Sequence, residues 1–325
     1  MTGVRALLAG LAVFTALIAW QGVGTVAATF GLAGWKPLWL PLYFIIPMAL
    51  SAQSWRCFFV PRPAFGPSVH AMWIGLAVNW MLPVAQIGGE LVRARIFTQR
   101  GIVSGAAYAS ALVDKTIQAL TQLAYAVIGV AIFASLHGGR TVTIAVAAFV
   151  LALGVGVTLF YRMQQAGLFT LAVRLGAKLV GSFDWSRAAE GAGNVDEAVR
   201  RIYARRGDVW QGIGWRFAAR VVSAGEVWLA FQFLGHPVDL VDAIVIESIG
   251  QMVRGAAFAV PAALGVQEGG YMLLAAGIGL TPELGLALSL CKRVRELIIG
   301  LSGLIAWKIW EGHVLLRARR AGERT

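Results

Sequence analysis

Glu90 and Glu268 each follow a proline by seven positions inside apolar sequence, in the stretches NWMLPVAQIGGELVRA (79–94) and AFAVPAALGVQEGGYM (257–272). Both stretches contain P-x-A-x-x-x-x-E, and Pro83 and Glu90 recur as Pro261 and Glu268, each 178 positions later. Other hydrophobic segments hold the acids Asp114, Glu226, Glu247 and Glu296 and the bases Lys115, Arg220, Arg254, Lys292, Arg293 and Arg295. A charge at the centre of a membrane helix costs about 2.5–3.5 kcal/mol even on a lenient scale, so such groups face a cavity or one another. Carboxylates there can exchange a proton for a pairing cation, and an arginine fork can bind two phosphate oxygens at once. The chemistry is binding and release of a charged headgroup. The candidate substrate-binding residues are Glu90, Arg93, Asp114, Lys115, Arg254, Glu268, Lys292 and Arg293.

Each candidate also has a plainer reading. Glu90 and Glu268 suit the first turn of a helix, where the dipole favours an acid. Lys292, Arg293 and Glu296 are spaced for local pairs, and Asp114 with Lys115 can neutralise itself. Arg220, Glu226 and Glu247 read as polar contacts between packed helices. The 178-residue offset aligns Asp114 with Lys292 and Lys115 with Arg293, which predicts electrostatic contacts across a two-fold axis. No catalytic set is expected: His70, His137, His236 and His313 are scattered, and Cys57 and Cys291 have neither metal nor disulfide spacing. No phosphate-binding G-x-x-x-x-G-K-[ST] loop occurs. The expectation is a protein that is not an enzyme and uses no cofactor or metal.

The elements that must position these residues follow from composition. Of 325 residues 58% are hydrophobic and 14% charged, with mean hydropathy +0.72, too little charge to cover a soluble surface. Crossing segments are expected at about 5–22, 37–57, 102–136, 140–161, 211–234 and 283–311. The first is not read as a signal peptide, because no A-x-A-like site follows it. Two more apolar stretches, 68–99 and 243–280, carry the repeated element. The polar region between them is expected to hold an interfacial helix in GLFTLAVRLGAKLVGSF (167–183) and a helix in NVDEAVRRIYARR, capped by Asn194. Trp20, Trp35, Trp39, Trp55, Trp73, Trp80, Trp307 and Trp310 read mostly as an interfacial belt.

The net charge of +12 fits basic cytoplasmic loops and anionic headgroups better than nucleic acid. If 68–99 and 243–280 dip into the membrane and return, and the N-terminus is inside, nearly all loop Lys and Arg fall on the cytoplasmic side. Proline then ends the inbound half-helix and glycines allow the reversal, giving Pro83, Gly88, Gly89, Pro261, Gly265 and Gly269 as hinge residues. Three crossings separate the equivalent starts, so the second unit is inverted. The expected fold is an all-α polytopic membrane protein with about six crossing helices and two re-entrant helical hairpins in an inverted-topology repeat. It comprises a single membrane domain over 1–325: repeat unit 33–133, a connecting helix and amphipathic cytoplasmic linker over 134–210, inverted unit 211–311, and a basic cytoplasmic tail over 312–325.

The segments PVAQIGGELVRAR, ASALVDK, VPAALGVQEGG and LCKRVREL resemble the flippase-like membrane domain of the lysylphosphatidylglycerol synthase family, over nearly the whole chain. Within it the chain looks most like the hopanoid-associated HpnL branch. The matching positions are Pro83, Gly88, Gly89, Glu90, Arg93, Asp114, Pro261, Gly265, Glu268, Gly269 and Arg293. The resemblance implies movement of a lipid between leaflets of the bacterial inner membrane. The soluble aminoacyl transferase domain of some members has no counterpart here, so lipid synthesis does not carry over. The expected function is a flippase or scramblase for a lipid with a phosphate headgroup. Hopanoid transport is the alternative, as is a non-catalytic partner of lipid-biosynthesis or envelope transport proteins.

Overall fold

The computed structural model describes residues 34–82, 88–137, 140–166, 186–257 and 263–322. The expected segment 5–22, the interfacial helix 167–183 and the hinge prolines Pro83 and Pro261 lie outside the described residues. Among those described, every regular element is helical. After a 3-10 turn at Lys36–Trp39 come α1 (Leu40–Arg56), α2 (Phe65–Met81), α3 (Gly88–Thr98), α4 (Ser104–His137) and α5 (Arg140–Gln165). Then follow α6 (Ser186–Ala204), α7 (Arg206–Phe233), α8 (Leu240–Ala256), α9 (Val266–Gly277) and α10 (Pro282–Gly322). The chain is an all-α polytopic membrane protein.

Local chemistry sets the boundaries that matter for the site. Leu82, which ends α2, is extended (φ −113°, ψ 147°), as a residue preceding a proline prefers. Gly265 begins α9 at φ +79°, a conformation that costs other residues but not glycine. Pro282 opens α10, where its missing N–H is no loss.

α2 and α3 form one antiparallel hairpin and α8 and α9 another. Cross-arm contacts show the reversal: Gly75 meets Gly89, and Gly250 meets Tyr271 while Val253 meets Gly270. The outbound arms α3 (11 residues) and α9 (12 residues) are short. At 1.5 Å per residue they rise about 16–18 Å, well under a bilayer core of about 30 Å. α3 and α9 begin 178 positions apart, as do α4 and α10. Packing recurs likewise: α2 lies on α10 and α8 on α4, while α1 crosses α7. Tyr43 Oη donates to the Val222 carbonyl (2.7 Å) and Ser54 Oγ to that of Gly212 (2.8 Å), so α1 and α7 run antiparallel. By contrast Asp114 meets Arg216 and Gln118 meets Arg220, so α4 and α7 run in the same direction.

Helix α4 contains a stretch, Ser104–Leu136, long and apolar enough to cross a membrane unaided. α7 (28 residues) and α10 (41 residues) are also long but carry charges along their length, most of which pair within the fold. Two expectations change. Asn194 lies inside α6, which starts eight residues earlier at Ser186 because SRAAEGAG continues the helix. α6 then docks Val199 and Ile202 into the core around α4. Trp55 is not part of a belt: it is fully buried, donates its indole N–H to Ser110 Oγ (3.1 Å) and stacks on Phe97. Trp35 and Trp39 are exposed as a belt requires.

Candidate functional site

Each hairpin presents its glutamate at the start of its outbound arm; Glu90 has two partners and Glu268 three. Glu90 Oε1 accepts from Lys115 Nζ (3.1 Å) on α4, and Oε2 from Asn79 Nδ2 (3.1 Å) on α2. Asn79 Oδ1 in turn accepts the Gly89 N–H (2.8 Å), tying the two arms together. In the second hairpin Glu268 Oε2 accepts the Gly265 N–H (2.7 Å), a cap on its own helix. Its Oε1 accepts from Arg293 Nε (2.9 Å) and Ser289 Oγ (3.3 Å) on α10. The helix-start reading and the ion-pair reading therefore hold together at both positions. Lys115 and Arg293 occupy equivalent positions and do equivalent things.

Around Glu268 lies a balanced set of four acids and four bases. Arg254, Arg293 and Arg295 all reach Glu296. Arg295 also donates to Glu226 Oε2 (2.7 Å), and Lys292 to Glu247 Oε2 (2.7 Å). Lys292, Arg295, Glu226, Glu247, Glu268 and Glu296 are all at most 2% exposed, so these are desolvated pairs. The hairpins meet here. Trp80, near the end of α2, lies 5.1 Å from the Arg295 guanidinium and 5.9 Å from that of Arg254 on α8.

The first unit is built differently. Asp114 is buried between two arginines, Arg93 from α3 (2.7 Å) and Arg216 from α7. Arg93 is also held over the Trp55 ring (4.7 Å) and against Met72 Sδ (3.3 Å). Asp114 and Lys292, expected to attract across the repeat, make no pair. Asp114 does reach the other unit, but through Arg216, which has no repeat counterpart: position 38 is leucine.

The glycines divide by role. A Cβ on Gly89 would stand 2.0 Å from the Gly75 carbonyl oxygen, so Gly89 permits close arm packing rather than a turn. Gly265 is required by its φ. Gly88 opens α3. Gly269 has open space and ordinary helical backbone, so nothing in the structure demands glycine at that position. An open apolar groove of about 500 Å³ between α4 and α5, lined by Leu123, Val127, Leu151 and Leu159, holds no charged residue and lies apart from the pairs.

A family described as the lysylphosphatidylglycerol synthase TM region matches residues 7–303 of the chain. Neither the curated proteins nor the solved structures give a match.

Proposed function

This chain belongs to the lysylphosphatidylglycerol synthase TM-region family, and from that premise we propose that it is a lipid translocator, moving a lipid with a phosphate headgroup between leaflets without covalent chemistry. The family points to a function in membrane lipid biology. The observation that carries the finer reading is the pair of equivalent bonds Lys115–Glu90 and Arg293–Glu268, one at the head of each hairpin. Each joins a short outbound arm to the long helix after it. A headgroup phosphate competes with the carboxylate for the cation, so cargo in one hairpin frees that arm while the other stays closed. Antiparallel packing of α1 on α7 supports an inverted repeat, with the hairpins entering from opposite faces. In this reading the protein sits in the bacterial inner membrane with both termini cytoplasmic, and its partners are lipids.

One observation favours the second reading, hopanoid transport. Arg254, Lys292 and Arg293 are each matched to a carboxylate, so the cluster around Glu268 carries no surplus charge for an anion.

The deciding experiment uses purified protein in proteoliposomes with a fluorescent phosphatidylglycerol and, separately, an uncharged hopanoid, each followed by leaflet-selective quenching. Translocation of phosphatidylglycerol above protein-free vesicles is the expected result. Movement of the hopanoid with every phospholipid ignored overturns the phosphate reading.

A further inference from the structure

The structure assigns a phosphate-binding site to the seam between α4 and α7, built on Arg216 and Arg220 with Tyr125. The inference rests on the translocation reading and gives it a location that differs from the hairpin glutamates.

The seam carries uncompensated positive charge. Arg93 and Arg216 share the single carboxylate of Asp114. Arg220, one turn beyond Arg216 on the same face of α7, meets only neutral groups: Nη2 donates to the Gln118 carbonyl (2.7 Å) and Nε approaches Thr121 Oγ1 (3.3 Å). No described carboxylate forms an ion pair with it, and Glu247, the next acid within electrostatic range, is already bonded to Lys292 and Gln251. Three arginines therefore face one acid, whereas the cluster around Glu268 sets four bases against four acids.

Two buried polar atoms point independently to a missing partner. Arg216 is 5% exposed and its Nε has no hydrogen-bond partner; Tyr125 is 1% exposed and its hydroxyl has none. Asp114, Gln118, Thr121 and Tyr125 recur at helical spacing along one stripe of α4, and Phe217 of α7 packs edge-on against Tyr125, so both orphans belong to this seam. Unsatisfied buried donors are costly, and a buried arginine without a counter-charge more so. A phosphate accepts from several N–H and O–H donors at once and supplies negative charge, which answers both deficits. Arg220 stands about 20 Å along α7 from its start at Arg206, a depth suited to a headgroup in mid-passage. The source of that phosphate is either a lipid headgroup or free phosphate.

The test uses the full chain in neutral phosphatidylcholine nanodiscs, titrated with phosphatidylglycerol, with inorganic phosphate and with uncharged diacylglycerol. Binding is read by native mass spectrometry and by protection of Tyr125 fluorescence in a comparison with Tyr125→Phe. Arg220→Gln preserves the neutral contacts and strands no acid, so it is expected to fold, with an unchanged melting temperature as the check. Arg220→Gln and Tyr125→Phe should each weaken phosphatidylglycerol binding tenfold or more, Arg220→Lys should recover part of it, and Arg319→Ala in the tail should leave it unchanged. Diacylglycerol should not compete. Competition by inorganic phosphate at comparable concentration supports the site and makes free phosphate its ligand; absence of competition supports it with the lipid as ligand. Binding of phosphatidylglycerol by Arg220→Gln and Tyr125→Phe at wild-type strength overturns the site while the translocation reading stands. Failure of the wild-type chain to bind either phosphate species overturns the site, and the vesicle assay then decides translocation separately.

Discussion

Lys115 stands to Glu90 as Arg293 stands to Glu268: the same offset, the same pair of elements, and N–O distances of 3.1 and 2.9 Å. The environments differ. The Lys115 and Glu90 side chains are 33% and 12% exposed, those of Arg293 and Glu268 12% and 0%. Screening is therefore stronger in the first pair. In double-mutant cycles on thermal stability, the Glu90/Lys115 coupling should be about 1 kcal/mol and the Glu268/Arg293 coupling larger, toward about 3 kcal/mol. Lys115→Glu alone should abolish transport, and Glu90→Lys added to it should restore part. A double variant no better than the sum of the singles would sink the pairing as a functional lock.

Glu296 should be the acid most costly to neutralise. It is 2% exposed and receives Arg254, Arg293 and Arg295. Glu296→Gln leaves buried guanidinium groups without their shared counter-charge, a change that costs about 3–5 kcal/mol in comparable pairs. Glu311→Gln is the contrast: its partner Arg95 is 59% exposed, and the expected change is under about 1 kcal/mol. Thermal unfolding in detergent, followed by size-exclusion fluorescence, ranks the two. Equal losses would mean that the Glu296 cluster is hydrated rather than desolvated.

What could be read in the sequence follows from the repeat. Glu90, Glu268, Lys115 and Arg293 were legible because the 178-residue offset shows each one twice. Arg216 was not, and Arg220 was legible only as a polar contact between packed helices, because their equivalents are Leu38 and Leu42 and the partner of Arg216 lies 102 residues away. Only packing of α7 on α4 brings them into one seam. Neutralisation of Arg254 by Glu296 was hidden in the same way, since pairing 42 residues apart depends on how α8 meets α10. Trp55 misled because aromatic residues near helix ends resemble a belt, and only the Ser110 hydroxyl opposite it makes burial of the indole N–H affordable.

Both arms of each hairpin should open to one face, and the two hairpins to opposite faces. Ser68, inside the first hairpin's inbound arm, is fully buried, so exposed flanking positions make better probes. Single cysteines at Gly66 and Ser104 should react with a membrane-impermeant maleimide only from the cytoplasmic side, and those at Asp239 and Thr281 only from outside. Native Cys57 and Cys291 are buried and should stay silent. Labelling of Gly66 and Ser104 from opposite sides would make the first element a full crossing and undo the inverted repeat.

The last prediction separates two glycines that the sequence motif treats alike. Gly89 is pressed against the other hairpin arm: an added Cβ would lie 2.0 Å from the Gly75 oxygen and 2.8 Å from the Asn79 side chain. Backbone on one side and a capping asparagine on the other leave nothing free to yield. Gly89→Ala must therefore push α3 off α2, and Asn79 loses its grip on the Gly89 N–H and on Glu90 together. The expected cost is at the upper end of overpacking, about 3 kcal/mol, with transport lost. Gly269 sits within α9 with nothing within 4 Å of an added Cβ. Gly269→Ala removes helix-interior glycine, which favours the helix by up to about 1 kcal/mol. It should keep transport and raise the melting temperature slightly. If instead Gly269→Ala abolishes transport without loss of stability, that position moves or contacts cargo in a state other than this one. The hinge would then lie in the outbound arm rather than in its packing against the inbound one.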